Sequence, residues 1–84
     1  MKKIRRVKSI LNKNFFGLSK EEVDYFLNGY LKVELDNEWY YLVCRGFYGK
    51  NVILYCEFNQ EKVEEKRILT VNEKSALSRL FSNL

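Results

Sequence analysis

The chain of 84 residues carries a net charge of +4, with 46% hydrophobic and 31% charged residues. This length accommodates one domain, residues 1–84, with a single modest core and excludes a second domain. The sequence contains no histidine, which excludes the commonest general base, His-dependent nucleophile pairs and His-containing zinc sites.

Two helices are predicted in the first third of the chain. Residues 2–13 place Ile4, Val7, Ile10 and Leu11 at helical spacing among basic residues, which predicts a basic amphipathic helix. Residues 19–22 (SKEE) match a capping box. They predict a second helix over about residues 20–28, ended by Gly29.

The hydrophobic period then changes to two, which is typical of strands. Residues 30–35, 39–45 and 52–58 predict three strands of an antiparallel meander, joined by turns near residues 36–38 and 49–50. The polar residues 59–66 read as a loop or one helical turn, and a short fourth strand stays open at 67–69. A second capping-box match at residues 70–73 and an apolar stripe predict a C-terminal helix over 71–82. The predicted fold class is α+β, a small single domain with a three-stranded, optionally four-stranded, antiparallel sheet and about three flanking helices.

Strand register decides which side chains share a face of the sheet. A three-residue first turn and a two-residue second turn pair Leu35 with Trp39 and Val43 with Cys56. The predicted core face then consists of apolar side chains: Leu31, Val33, Leu35, Trp39, Tyr41, Val43, Val52, Leu54, Cys56 and Phe58. The opposite face is mixed: Tyr30, Lys32, Glu34, Tyr40, Leu42, Cys44, Ile53, Tyr55 and Glu57. This register separates the two cysteines, so free thiols are expected. The second face is covered either by the basic first helix or by an external partner.

Catalytic chemistry has little support in the sequence. The glycines form no phosphate-binding loop, and two cysteines twelve residues apart cannot complete a zinc site. We therefore expect a protein that is not an enzyme, with no cofactor, no metal and no catalytic residue. The basic N-terminus is followed by no apolar signal segment and no membrane span is apparent, which predicts a cytoplasmic protein.

A protein-binding module is the favoured functional hypothesis. Tyrosine and arginine are enriched in binding hot spots, and one predicted hairpin carries five candidate residues: Tyr40, Arg45, Phe47, Tyr48 and Tyr55. The expected partner is a larger protein. Accessory proteins of phages and mobile elements that inhibit or adapt nucleic-acid-processing complexes have this size and composition. A homo-oligomer through an exposed sheet edge remains open.

Nucleic-acid binding is the alternative hypothesis. The first helix could lay five basic side chains along a phosphate backbone: Lys2, Lys3, Arg5, Arg6 and Lys8. Tyr40 and Tyr55 could stack bases on the sheet face.

Overall fold

The computed structural model describes residues 2–82, without the side chains of residues 2–5 and 47. In chain order its elements are α1 (Lys2–Asn12), α2 (Lys20–Phe26), β1 (Leu31–Leu35), β2 (Glu38–Phe47), β3 (Lys50–Asn59), β4 (Lys62–Asn72) and α3 (Ala76–Arg79). The strands form one antiparallel sheet in the order β1-β2-β3-β4. The α+β class with an antiparallel meander is confirmed. The sheet has four strands rather than three, and the optional fourth strand is present over Lys62–Asn72 rather than only 67–69.

The fourth strand, β4, occupies the polar segment that was predicted as a loop. Gln60 and Glu61 both adopt positive φ, 53° and 67°, which suits a two-residue hairpin turn although neither residue is the usual glycine or asparagine. Charged residues are frequent on edge strands because they discourage aggregation. The charged residues of the edge strand and the turn without glycine or asparagine are therefore the reasons why the sequence predicted a loop here.

The C-terminal helix is much shorter than predicted. β4 continues to Asn72, so Thr70 is part of the strand and cannot cap a helix. The actual N-cap of α3 is Ser75, whose hydroxyl oxygen accepts a hydrogen bond from the backbone N–H of Ser78 at 3.2 Å. Helix α3 ends at Arg79 and leaves Phe81 in a following turn.

The capping box of α2 is present as predicted. The Ser19 hydroxyl oxygen accepts from the Glu22 N–H at 3.1 Å, and the Glu22 carboxylate accepts from the Ser19 N–H at 2.9 Å. These bonds to Ser19 hold the pKa of Glu22 below its ordinary value. The helix ends two residues earlier than predicted, at Phe26, and Gly29 supplies a positive φ of 97° in the turn that follows.

The register of β1 differs from the prediction by one residue. The first turn contains two residues, so Leu35 pairs with Glu38 and Val33 pairs with Tyr40. Asp36 adopts a φ of 57° in this turn, a conformation that aspartate tolerates better than most residues. This one-residue difference exchanges the two faces of β1, so that Leu31, Val33 and Leu35 lie on the second face.

Lys32 consequently lies on the core face, where it is accommodated by aromatic and acidic neighbours. Its Nζ lies 4.2 Å from the centre of the Trp39 ring, 2.9 Å from Asp24 Oδ1 and 2.7 Å from Glu34 Oε1. Partial burial opposes the charge, but the bonds to Glu34 and Asp24 outweigh it and raise the pKa of Lys32.

The central hairpin keeps its predicted faces although its predicted pairs are wrong. Cys56 pairs with Trp39 rather than Val43, and Leu54 pairs with Tyr41. The observed register differs from the predicted one by four residues, an even number, so each side chain keeps its predicted face. The core-face residues of β2 and β3 are therefore all buried as predicted: Trp39, Tyr41, Val43, Val52, Leu54, Cys56 and Phe58.

A bulge in β2 corrects the predicted position of Cys44. The register shifts between Leu42 and Cys44, and Cys44 pairs with Val52. Two consecutive residues, Val43 and Cys44, therefore contact the same core cluster that contains Cys56. The prediction that the two cysteines lie on opposite faces is wrong, and both are free thiols.

Helices cover the two faces of the sheet unequally. The core face packs against α1, α2 and the segment between them through Ile10, Phe15, Val23 and Leu27. The second face packs against the α3 region: Leu77, Leu80 and Phe81 contact the cluster of Leu42 and Ile53. Of the two alternatives for the second face, coverage by α1 is contradicted, because α1 lies on the core face.

Candidate functional site

An apolar groove opens where α1 meets the start of β1 and the bulge of β2. We call it the basic-rimmed groove; it has a volume of about 710 Å³. Its lining residues are Val7, Lys8, Leu11, Gly29, Tyr30, Leu31, Leu42, Val43, Cys44, Arg45 and Val52. Apart from the Cys44 thiol, the polar side chains of the groove are Lys8, Arg45 and the phenol of Tyr30.

The α1 wall of the groove is fixed by contacts near the C-terminus of the helix. Near its C-terminus, Lys66 Nζ on β4 donates to the carbonyl oxygens of Leu11 at 2.7 Å and Lys13 at 2.9 Å. A cation bonded to the last carbonyls of a helix also interacts favourably with the helix dipole. In the same turn, Ile10 is fully buried in the core. These contacts hold Val7 and Leu11 toward the groove.

The second wall is fixed by Arg6. Its Nη2 donates to the carbonyl oxygen of Asn28 at 3.1 Å, and its guanidinium carbon lies 5.1 Å from the centre of the Tyr30 ring. The cation and the ring attract each other at this distance. Arg6 therefore ties α1 to the segment that leads into β1, and it orients Tyr30 as part of the groove.

The charge of the groove has one sign. Lys8 and Arg45 are both exposed at the rim. Among the described residues, none that lines the groove is acidic. An apolar floor between two cations favours an occupant that combines apolar side chains with negative charge.

The opposite end of β1 carries the opposite charge. A shallow depression of about 740 Å³ is lined by Leu35, Asp36, Asn37, Glu38, Glu57, Phe58, Asn59 and Glu64. None of these lining residues is a cation. On the second face nearby, Glu38 pairs with Glu57 and Glu57 pairs with Glu65, an arrangement of like charges that costs stability.

The predicted tyrosine pair lies beside these glutamates. The rings of Tyr40 and Tyr55 have centroids 5.1 Å apart, and the Tyr55 hydroxyl donates to Glu57 Oε1 at 2.8 Å. Burial and then the bond to Glu57 raise the pKa of Tyr55, while burial and the charge of Glu38 raise the pKa of Tyr40. Tyr55 is only 8% exposed, so it offers little contact area to a partner.

The five predicted protein-binding residues do not form one surface. Tyr40 and Tyr55 lie together in the middle of the sheet, whereas Arg45 lines the basic-rimmed groove. Tyr48 is exposed at the turn between β2 and β3, roughly 26 Å along the strand from Tyr40 at about 3.3 Å per residue. The side chain of Phe47 lies outside the described part of the structure.

The predicted nucleic-acid residues are separated from the tyrosines by the sheet. Arg6 and Lys8 are exposed on α1, which packs on the core face, and the tyrosine pair lies on the second face. The side chains of Lys2, Lys3 and Arg5 lie outside the described residues. Because α1 and the tyrosine pair lie on opposite faces of the sheet, a single nucleic-acid strand would have to pass around a sheet edge to contact both.

Sequence reasoning missed most walls of the groove. Val7 and Leu11 were recognised as part of an apolar stripe, but the face of the sheet on which their helix packs was left open. The contribution of Cys44 depends on the β2 bulge, and no residue in that stretch marks a bulge before Gly46. Leu31 also lines the groove at the start of β1, and its face of the sheet was predicted wrongly because the first turn is one residue shorter than expected.

Metal and membrane sites are not found in the described residues. Among residues 2–82, no group of three or more cysteine, aspartate or glutamate side chains could hold a metal ion. Within the same range, no helix is long and apolar enough to cross a bilayer. Searches found no matching family model, curated protein or solved structure.

Proposed function

We propose that this protein is a non-catalytic protein-binding module whose basic-rimmed groove receives an acidic, amphipathic segment of a larger protein. The observation that carries the proposal is the groove itself, an open apolar surface with Lys8 and Arg45 at its rim and no acidic residue in its lining. Segments that lay an apolar face into a groove are a common mode of peptide recognition.

A peptide fits this groove better than a small molecule does. Small-molecule sites place several convergent polar groups inside the pocket to orient the ligand. Here the two charged side chains lie at the rim, and the walls are mostly apolar. Flanking cations would hold acidic side chains of the segment while its apolar side chains fill the floor, and rim charges of this kind chiefly accelerate association.

Selection of peptides from a displayed random library tests the proposal. The bait is the whole chain, with a Lys8→Glu, Arg45→Glu variant as the groove variant. A Lys62→Glu, Lys74→Glu variant is the matched control, because it changes the net charge equally at exposed lysines outside the groove. We expect enriched peptides to be acidic with apolar residues at helical spacing.

We expect the affinity for these peptides to fall at least tenfold in the groove variant and to stay within about twofold in the control. A tenfold loss corresponds to a specific charge contact of roughly 1.4 kcal/mol. Enriched peptides that bind all three proteins equally would refute the groove as the site. Labelled single- and double-stranded oligonucleotides are titrated in parallel. Tight, salt-sensitive oligonucleotide binding that the groove variant abolishes would replace the peptide with nucleic acid as the occupant.

A further inference from the structure

The outer edge of β1 is available for pairing. β1 is a terminal strand of the sheet, and two of its apolar side chains, Leu31 and Leu35, are 39% and 46% exposed. Among the described residues, the main-chain bonds of residues 31–35 lie within the β1–β2 ladder. An edge strand with free backbone groups is a template for another strand.

The turn that follows β1 determines which backbone groups point outward. A two-residue hairpin loop is closed by hydrogen bonds between its flanking residues, which are Leu35 and Glu38 here. Hydrogen-bonded and non-hydrogen-bonded pairs alternate along an antiparallel ladder. Lys32 and Glu34 therefore direct their amide and carbonyl groups toward the open edge.

The five residues of β1, LKVEL, are self-complementary when the strand is reversed. We propose that β1 pairs antiparallel with β1 of a second copy. The two-fold axis that relates the two strands passes between their Val33 residues. In this register Lys32 faces Glu34 of the second copy, Leu31 faces its Leu35, and Val33 faces its Val33. The Lys32–Glu34 and Leu31–Leu35 contacts each occur twice and the Val33–Val33 contact lies on the axis, as a two-fold interface requires.

Charge and burial both favour this register over its neighbours. Lys32 Nζ lies 2.7 Å from Glu34 Oε1 and 2.9 Å from Asp24 Oδ1 within one chain, and pairing adds Glu34 of the second copy beside each Lys32. Opposite charges placed directly across an antiparallel pair are stabilising, and like charges are destabilising. Leu31, Val33 and Leu35 lie on the second face, so their exposed area becomes buried against the same residues of the second copy.

The size of the contact sets its strength. Five residues at about 3.3 Å each span roughly 17 Å, and pairing of such a short edge buries less than the ~1,000 Å² of a stable interface. The dimer therefore belongs to the weak class, with dissociation at micromolar or higher concentration. The inference goes beyond the proposed function, and its test leaves the rim residues of the groove unchanged.

Disulfide trapping tests both the pairing and its register. In a Cys44→Ala background, Val33→Cys places two thiols across a non-hydrogen-bonded pair at about 4.5 Å between Cα atoms, within the range for a disulfide. Leu35→Cys is the matched control on the same edge and face. Because position 35 faces position 31, it should cross-link only when mixed with Leu31→Cys.

We expect mild oxidation to convert Val33→Cys to a covalent dimer at least tenfold faster than Leu35→Cys alone. Equal rates would overturn the proposal. Sedimentation equilibrium of the unmodified chain, carried to roughly 500 µM, is the second measurement and needs no new cysteine. A concentration-dependent dimer that Glu34→Lys weakens at least tenfold supports the pairing, and a monomer throughout would overturn it.

Discussion

Lys66 connects the far edge of the sheet to the helix that forms the groove, and its removal gives the most specific prediction for the fold. The change is Lys66→Met, which keeps an apolar stem of similar length and removes the ammonium. It deletes the bonds to the carbonyl oxygens of Leu11 and Lys13. It also removes a cation that lies 5.6 Å from the centre of the Phe15 ring.

The magnitude follows from these contacts. A hydrogen bond from a charged group contributes about 1.5–3 kcal/mol, and a cation at a helix C-terminus adds about 0.3–1 kcal/mol. Water can replace part of this at the half-buried helix end, so we expect a loss of about 2 kcal/mol in the free energy of unfolding. For a domain of this size that corresponds to a decrease in Tm of roughly 8–16 °C.

Urea unfolding followed by the fluorescence of Trp39 measures this loss, since the indole is 7% exposed in the folded chain and should respond to unfolding. Lys50→Met is the matched control, because Lys50 is an exposed lysine on a neighbouring strand. Hydrogen exchange of residues 2–12 should accelerate in the Lys66 variant because α1 loses its anchor. A loss no greater than that of the control, with unchanged exchange, would refute the role of Lys66.

Three further predictions follow from single groups. Asp24→Asn should lower stability at neutral pH by up to about 1 kcal/mol, because the bond from Lys32 holds the pKa of the half-exposed Asp24 carboxyl below its ordinary value. The stability that this carboxylate contributes is present above its unfolded pKa and is lost as the pH falls through its lower folded pKa. Urea titrations should therefore show the difference in free energy of unfolding between the two proteins closing below about pH 4. A difference that stays constant with pH would contradict this. Burial raises the pKa of Cys56 to about 12, so a disulfide reagent at neutral pH should label Cys44 in the folded protein and Cys56 only after unfolding; rapid labelling of both would contradict the burial. Asn51→Ala should cost about 2–3 kcal/mol in urea unfolding, because its buried amide bonds to the β2 backbone and to the α3 region, and a cost under about 0.5 kcal/mol, the usual range of a surface substitution, would contradict that role.

The local signals in the sequence were sufficient for much of the fold. The capping box at Ser19 and the alternation of β2 and β3 predicted their elements correctly. The core face of that hairpin was also correct, because a register error that preserves alternation leaves every side chain on its face.

The sequence could not determine features that depend on single turns and bulges. The first turn has one residue fewer than predicted. This exchanges the two faces of β1, so that Leu31, Val33 and Leu35 lie on the second face. The β2 bulge moved Cys44 to the core side. The first of these depends on a turn conformation that Asp36 permits without requiring it.

The candidate site was harder to predict than the fold for a related reason. The groove is built from α1, the start of β1 and the β2 bulge, three segments whose relative positions depend on those features. Of the predicted protein-binding residues, Arg45 lines the groove. Arg45 was selected from the sequence only because arginine is generally enriched in binding hot spots.

Chemical-shift mapping tests the central claim most directly. A ¹⁵N-labelled chain is titrated with one acidic peptide taken from the library selection, and backbone amide shifts are followed to saturation. We expect the largest changes at Val7, Leu11, Tyr30 and Cys44, with the titration lost in the Lys8→Glu, Arg45→Glu variant. Changes centred instead on the strands around Tyr40, and unaffected by that variant, would contradict the groove as the binding site.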